Sequence, residues 1–270
     1  MSTRQVNWNA DDYRRNSGAQ QKWAAELISR LGDVPPDADI IDIGCGDGRI
    51  TRELALLAPR GATVGIDASE KMIALARESF REQPNLRFET MDAREMELPE
   101  RFDIAFSNAT LHWFKEQDRF LTRLRAHMKP GGRLCFSFGG KGNAGQIIAV
   151  LRDMVKSGKW AGYFPADIAD EDKLPYAFLG PDDYVPLLEA AGFAPQSVRL
   201  LPRDMSYGSR EGLAGWMRTT WMPFTGRIPE QMRGDFIDEV VDEFIRRHPA
   251  GEDGTIKVAM FRLEALATAV

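Results

Sequence analysis

The chain has 270 residues, 43% of them hydrophobic and 28% charged, which is ordinary usage for a folded protein able to bury a large core. Its 35 Lys and Arg stand against 40 Asp and Glu, a formal charge of −5, so it has no general attraction for polyphosphate and nucleic acid is not an expected partner. Two cysteines (Cys45, Cys135) and three histidines (His112, His127, His248) supply neither a disulfide framework nor zinc-ligand spacing, so no metal is expected. Residues 1–10 are polar, and no apolar run reaches the roughly 20 residues that span a bilayer. The expectation is a cytoplasmic protein with no membrane partner; nothing in the sequence sets an oligomeric state.

The first 31 residues read as helical, ending in an amphipathic stretch over 17–31 with Trp23, Leu27, Ile28 and Leu31 on one side. Gly32 and the Pro35-Pro36 pair stop it. Strand and helix then alternate: strands over 40–43, 63–66, 86–89, 102–106 and 133–138, and helices over 49–58, 69–81 and 118–128. Ser69 is placed to cap the second of these helices, and Lys129-Pro130-Gly131-Gly132 to break the third before the fifth strand. Further on, helices are expected over 144–155, 181–191, 209–221 and 229–247, and strands over 197–201 and 256–263. Five strands separated by helices imply a doubly wound α/β fold with a parallel sheet, whose ligands bind beyond the carboxyl ends of the strands.

Those ends carry the chemistry. The first strand runs into Asp42-Ile43-Gly44-Cys45-Gly46-Asp47-Gly48, a turn on which a ligand can approach backbone where a Cβ would collide. A dinucleotide fingerprint needs a third glycine three positions after Gly46, where this chain has Arg49, so a nucleoside without pyrophosphate fits better. Asp42 is placed to balance the cationic end of an amino-acid-bearing ligand, and Cys45 offers at most its backbone amide. Asp67, ending the second strand about 20 residues on, suits both ribose hydroxyls, and Asp92 after the third suits an adenine amino group. The fourth strand ends in Ser107-Asn108-Ala109-Thr110-Leu111-His112-Trp113.

In these segments the sequence resembles the class I S-adenosylmethionine-dependent methyltransferases over roughly residues 38–139. The residues 42–48 are similar to their first motif, Gly65-Ile66-Asp67-Ala68-Ser69 with Met72 to their second, and Asp92-Ala93 to their third; the Lys129–Gly132 turn is likewise typical. Trp8-Asn9, Tyr13, Ser107-Asn108 and Leu111-His112-Trp113 resemble trans-aconitate 2-methyltransferases, and the segment 16–21 resembles juvenile hormone acid methyltransferases. Malonyl carrier-protein methyltransferases share these motifs. The resemblance implies a mostly parallel seven-stranded sheet of Rossmann-like type, with N-terminal helices and a helical cap. The cofactor it implies is S-adenosyl-L-methionine, leaving as S-adenosyl-L-homocysteine. It also implies that Gln20 and Trp113 lie near the transferred methyl and that Tyr13 closes over the cofactor, with Ala68, Met72, Ala93, Asn108 and Leu111 as further cofactor contacts.

The chain is thus read as one domain over 1–270, with a helical lid over 1–33, a cofactor-binding core over 34–140 and substrate-cap insertions over 141–180 and 205–250. The acceptor is expected to be a small molecule, an anionic acid methylated on its carboxylate, which is ionised at neutral pH and needs no base. Methylation of a malonyl thioester on a carrier protein, C- or N-methylation of another metabolite, a nicotinamide oxidoreductase and a non-catalytic cofactor-binding protein are the alternatives. His112 is the candidate base were the acceptor a hydroxyl, or else packs beneath the cofactor; Trp113 stacks near the sulfonium or walls the pocket. Arg218, between Trp216 and Trp221, is the expected anion clamp, with Trp160 on the opposite wall.

Overall fold

The computed structural model describes residues 18–156, 158–165, 167–168 and 173–270, with side chains from Trp23 onward. Strands β1 (Ile40–Ile43), β2 (Thr63–Asp67), β3 (Leu86–Thr90), β4 (Phe102–Asn108), β5 (Met128–Gly139), β6 (Phe193–Pro202) and β9 (Phe261–Ala269) form one sheet in the order β3-β2-β1-β4-β5-β9-β6. The first five run parallel; β9 is antiparallel to both β5 and β6. A separate two-stranded ribbon pairs β7 (Met205–Tyr207) with β8 (Ile256–Val258). The apolar runs of β1 and β2 are buried throughout, as parallel strands covered on both faces must be.

Helices α1 (Gly18–Ser29), α2 (Arg49–Leu57), α3 (Glu70–Ser79) and α4 (Gln117–Ala126) flank the parallel half, and α6 (Pro181–Ala190) packs beside β6. Ser69 caps α3, its hydroxyl accepting from Met72 N at 3.4 Å, as the sequence predicts. α1 and the turn that follows it lay Leu27 and Leu31 on a core shared with Ile40, Ile104 and Phe106. Ion pairs from Arg30 to Glu264 (3.0 Å) and from Arg203 to Glu26 (2.9 Å) hold that helix near β9.

A second core lies beyond the carboxyl ends of the strands. Helices α5 (Gly145–Lys156), α7 (Arg210–Thr220), α8 (Met222–Thr225) and α9 (Arg233–Arg247), a 3₁₀ segment (Gly158–Tyr163) and the β7–β8 ribbon bury Leu213, Met217, Phe236, Val240 and Phe244 against one another. No helix among the described residues is long and apolar enough to cross a membrane.

Two sequence expectations are corrected. Lys129–Gly132 does not precede the fifth strand but lies within it: Met128 pairs with Phe102 and Arg133 with Ile104, so the Pro-Gly-Gly run is a bulge. The alternating run 256–263 is two strands, because the chain leaves the ribbon after Val258 and enters the main sheet at Phe261.

Candidate active site

The glycine turn after β1 stands beside the end of β2. Gly44 and Gly46 both adopt the left-handed backbone, at φ 74° and 54°. A Cβ on Gly44 would lie 2.1 Å from Thr110 Oγ1, so packing demands that glycine; a Cβ on Gly46 would meet nothing within 4 Å. Gly46 therefore borders open space. Asp67 flanks it: its Oδ2 accepts from Gly46 N at 3.1 Å and its Oδ1 from Ser69 N at 2.8 Å. Burial raises the pKa of this carboxyl while the two N–H donors oppose the rise. Bare backbone beside an acceptor carboxylate fits a nucleoside, whose ribose hydroxyls donate. Ala68 follows Asp67 directly, and Met72 is buried in the first turn of α3.

The other predicted cofactor residues are engaged locally. Asp42 is buried, and its Oδ2 accepts from Thr51 Oγ1 at 2.7 Å, tying β1 to α2 beneath the turn. Burial pushes its pKa to about 7, with the Thr51 hydrogen bond opposing. Cys45 is buried, and burial together with the Asp42 and Asp67 carboxylates drives its thiol well up, which leaves it unreactive. Asp92 caps the 3₁₀ turn Ala93–Glu95, accepting from Arg94 N at 2.9 Å and forming an ion pair with the Arg94 guanidinium at 2.6 Å. That guanidinium holds the Asp92 carboxyl below its ordinary range. Ala93 is buried beside it. Arg49, where a dinucleotide site needs glycine, pairs with Asp47 at 3.2 Å.

A cavity lies at the ends of β4 and β5 under the helical cap. Its lower wall is the 3₁₀ turn Leu111–Trp113, which follows the left-handed Ala109 (φ 62°). Leu111 is fully buried in the core below, while His112 and Trp113 line the cavity. Tyr176 and Phe178, stacked at 5.1 Å, face them, with Trp113 edge-on to Tyr176 at 5.1 Å. Trp216 and Trp221, perpendicular at 5.6 Å, close the cap side.

His112 is held in one tautomer. Gly139 N donates to His112 Nδ1 at 3.3 Å, and a backbone N–H can only donate, so the ring proton resides on Nε2. Burial, helped by the charge of Arg262, lowers the pKa to about 3. The imidazole is neutral, with its lone pair already used. Tyr176 donates to Thr220 O at 3.4 Å, and burial drives its phenol pKa far up. No Asp, Glu, Lys or Cys lines the cavity among the described residues.

The cation in this cavity is Arg262, which sequence reasoning passed over. It stands on β9, 5% exposed, donating from Nε to Ser137 Oγ (2.9 Å) and from Nη2 to Asn108 Oδ1 (2.7 Å) and Ser137 O. Its guanidinium lies 4.9 Å from the centre of the Trp23 ring. A signal existed: Arg262 is a lone charge in the apolar run Val258-Ala259-Met260-Phe261-Arg262-Leu263. Asn108 thus meets Arg262 at the end of β4.

Arg218 and Trp160 are not brought to the cavity. Arg218 is exposed in the last turn of α7 and pairs with Glu211 at 2.5 Å. Trp160 is buried in the cap core, edge-on to Phe236 at 5.1 Å, its Nε1 donating to Glu239 Oε2 at 2.7 Å. Gln20 falls in α1 one turn before Trp23, its side chain outside the described residues; Trp8, Asn9, Tyr13, Asn16 and Ser17 lie outside them altogether.

Residues 40–132 match the protein family described as Methyltransferase domain. A trans-aconitate 2-methyltransferase of Delftia acidovorans is 30% identical over 272 residues, 96% of this chain and 97% of the relative. One from Variovorax paradoxus is 28% identical over 96% of both chains. Among solved structures, a Haemonchus contortus phosphoethanolamine N-methyltransferase with bound S-adenosylhomocysteine has a similar fold, with a TM-score of 0.61 and 16% identity, covering 96% of this chain and 56% of that one. This chain belongs to the class I S-adenosylmethionine-dependent methyltransferases.

Proposed function

We propose that the enzyme methylates a carboxylate of a small acid, using S-adenosyl-L-methionine and releasing S-adenosyl-L-homocysteine and a methyl ester. The observation that carries this reading is the state of His112. With Nδ1 occupied by Gly139 N–H and the proton on Nε2, the imidazole has no lone pair to remove a proton from an alcohol or amine. No other side chain lining the cavity among the described residues is a base at neutral pH. An acceptor that arrives already ionised needs no such base, and a carboxylate arrives in that state.

Asp67 and the backbone at Gly46 would hold the ribose end of the cofactor, with Ala68 and Met72 beside it and Asp42 and Cys45 beneath the turn. The bound cofactor supplies a methyl group activated on a sulfonium. A carboxylate oxygen forms the new C–O bond as the C–S bond breaks; the electron pair goes to sulfur, and no proton is transferred. The His112 Nε2–H is a hydrogen-bond donor on a ring that lines the cavity, suited to orient one acceptor oxygen. Trp113, Tyr176 and Trp221 exclude water, and alignment in such a site supplies roughly 7–11 kcal/mol of barrier reduction. Trp216 and Trp221 contribute the substrate wall; the roles that the family resemblance gives Gln20 and Tyr13 concern side chains outside the described residues. The relatives named above methylate trans-aconitate, which makes that acid the first acceptor to try.

The test is incubation of the purified enzyme with S-adenosylmethionine and a panel of carboxylic acids, phenols, alcohols and amines, with products read by mass spectrometry. Esters of acids alone support the reading. Methylation of a phenol, alcohol or amine in preference to every acid overturns it.

A further inference from the structure

The loop that leaves β5 at its carboxyl end, Gly139-Gly140-Lys141-Gly142-Asn143-Ala144, carries a polar side chain that the reaction as described does not use. Asn143 is 8% exposed and lines the cavity. Its Oδ1 accepts from Phe261 N at 3.1 Å. A backbone N–H can only donate, so that end of the amide is the oxygen and the other end is the NH2 group. The backbone around it is fixed as well. Asn143 N donates to Gly140 O at 2.9 Å, and Gly142 and Ala144 on either side take the left-handed conformation, at φ 80° and 52°. Ala144 has a Cβ and adopts that conformation at a cost, which its surroundings must hold in place.

Asn143 Nδ2 lies over Gly139: a Cβ on that glycine would come within 2.8 Å of it. The same Gly139 donates its N–H to His112 Nδ1. One glycine at the end of β5 thus seats both polar side chains, and both line the cavity. Nδ2 has no hydrogen-bond partner among the described residues and is not sealed off. We propose that Asn143 is a substrate-positioning residue: its Nδ2–H donates to one oxygen of the reacting carboxylate while the His112 Nε2–H takes the other. This rests on the carboxylate reading above.

A carboxylate held by one donor still turns about that hydrogen bond. A second donor fixes its plane, and with it the direction of the attacking lone pair. Both donors are neutral, which suits the reaction. The carboxylate carries its full charge on binding and none in the ester, so a cation gripping the reacting oxygens would favour the ground state over the transition state. An amide N–H donates to a carboxylate and to an ester carbonyl alike, and loses less of its hydrogen bond along the way. The pair also filters acceptors. Two N–H groups are satisfied by two oxygens on one carbon, whereas an ammonium group brings only donors and leaves both unpaired.

The decisive variant is Asn143→Asp, which keeps the size of the side chain and an oxygen for Phe261 N–H while exchanging the donor for a charged acceptor. Rates are measured at about pH 8.5, where a carboxyl introduced at this position is ionised. The probes are trans-aconitate, hexanoate and benzoate, with methyl hexanoate and methyl benzoate as inhibitors. Asn143→Ala, which removes the donor and adds no charge, is the second variant and decides if the first does not fold. Calorimetry with S-adenosylhomocysteine certifies that each variant is folded. For the acids, kcat/KM is expected to fall by about 10- to 150-fold in Asn143→Ala, mostly through KM, and further in Asn143→Asp. Inhibition by the neutral esters is expected to weaken by no more than about fivefold. Unchanged kcat/KM for the acids overturns the proposal and leaves the carboxylate reading standing. So does an equal loss for acids and esters, since a merely structural amide would act in that way. If the wild-type enzyme binds the nucleoside and methylates no acid at all, the carboxylate reading itself fails, and this proposal with it.

Discussion

Replacing Gly46 and Gly44 by alanine should separate binding from packing within a single turn. Both residues hold positive φ (54° and 74°), so each alanine carries a left-handed backbone cost of about 1–2 kcal/mol. At Gly46 that is the whole cost, since the new Cβ meets no atom within 4 Å. At Gly44 the Cβ would lie 2.1, 2.3 and 2.5 Å from three atoms of the Thr110 side chain. Thr110 cannot easily yield, because its hydroxyl donates to Gly44 O at 3.3 Å and it precedes the turn that carries His112. Overpacking adds about 1–3 kcal/mol there. Urea unfolding should therefore show Gly44→Ala losing about 2–5 kcal/mol and Gly46→Ala about 1–2. Calorimetry with S-adenosylhomocysteine should show Gly46→Ala folded and largely unable to bind, because its methyl enters the space assigned to the cofactor. A Gly46→Ala enzyme that binds like wild type would refute that assignment; equal destabilisation by the two variants would refute the packing account.

Other expectations follow from the same geometry. Asp67→Asn should weaken S-adenosylhomocysteine binding by about 10- to 150-fold, the worth of charge-assisted hydrogen bonds; unchanged affinity in a titration removes Asp67 from the site. With its pKa lowered from 6.5 to about 3, His112 is neutral throughout the working range. The kcat/KM for an acid acceptor should thus be flat from about pH 6 to 8, and a limb near pH 6.5 that vanishes in His112→Phe would show a titrating base. Because that folded-state pKa is depressed, the stability His112 contributes is present above pH 6.5 and is lost as pH falls toward 3, which acid unfolding of wild type and His112→Phe should reveal. Arg218→Ala should change stability by less than about 0.5 kcal/mol, since its pair with Glu211 is exposed. It should also leave the KM for acids alone; a tenfold rise would restore Arg218 as the anion clamp.

The strand ends to which the proposed cofactor site is assigned were legible because their signals are local. A β-branched run, a glycine turn and an acid at the next strand's tip each occupy a few consecutive residues, and parallel winding brings such tips together. The errors arose where the outcome depends on distant partners. Pro130-Gly131-Gly132 has a breaker's composition, yet β4 supplies the register that turns it into a bulge. The run 256–263 keeps one alternation across two strands, so periodicity could not show the chain passing from ribbon to sheet.

The choice between Arg218 and Arg262 is the sharper case, because helix geometry already weighed against the first. Trp216 faces inward on α7, and two residues further on is a rotation of about 200°, which points Arg218 at solvent. Nearness in sequence to two tryptophans was therefore an argument against it. Arg262, by contrast, is buried in a strand that also carries the buried Glu264, and a charge placed there must find polar partners or destabilise the sheet. The partners it finds, Ser137 on β5 and Asn108 on β4, lie 125 and 154 residues away in sequence. Trp23, which covers it, comes from α1. The cavity is thus lined by seven separated stretches of chain, around Trp23, His112, Gly139, Tyr176, Met205, Trp216 and Arg262, while the turn proposed for the cofactor is written in one. Substitutions in the cap can then retune the acceptor without disturbing the glycine turn, as the separate cores of the two regions permit.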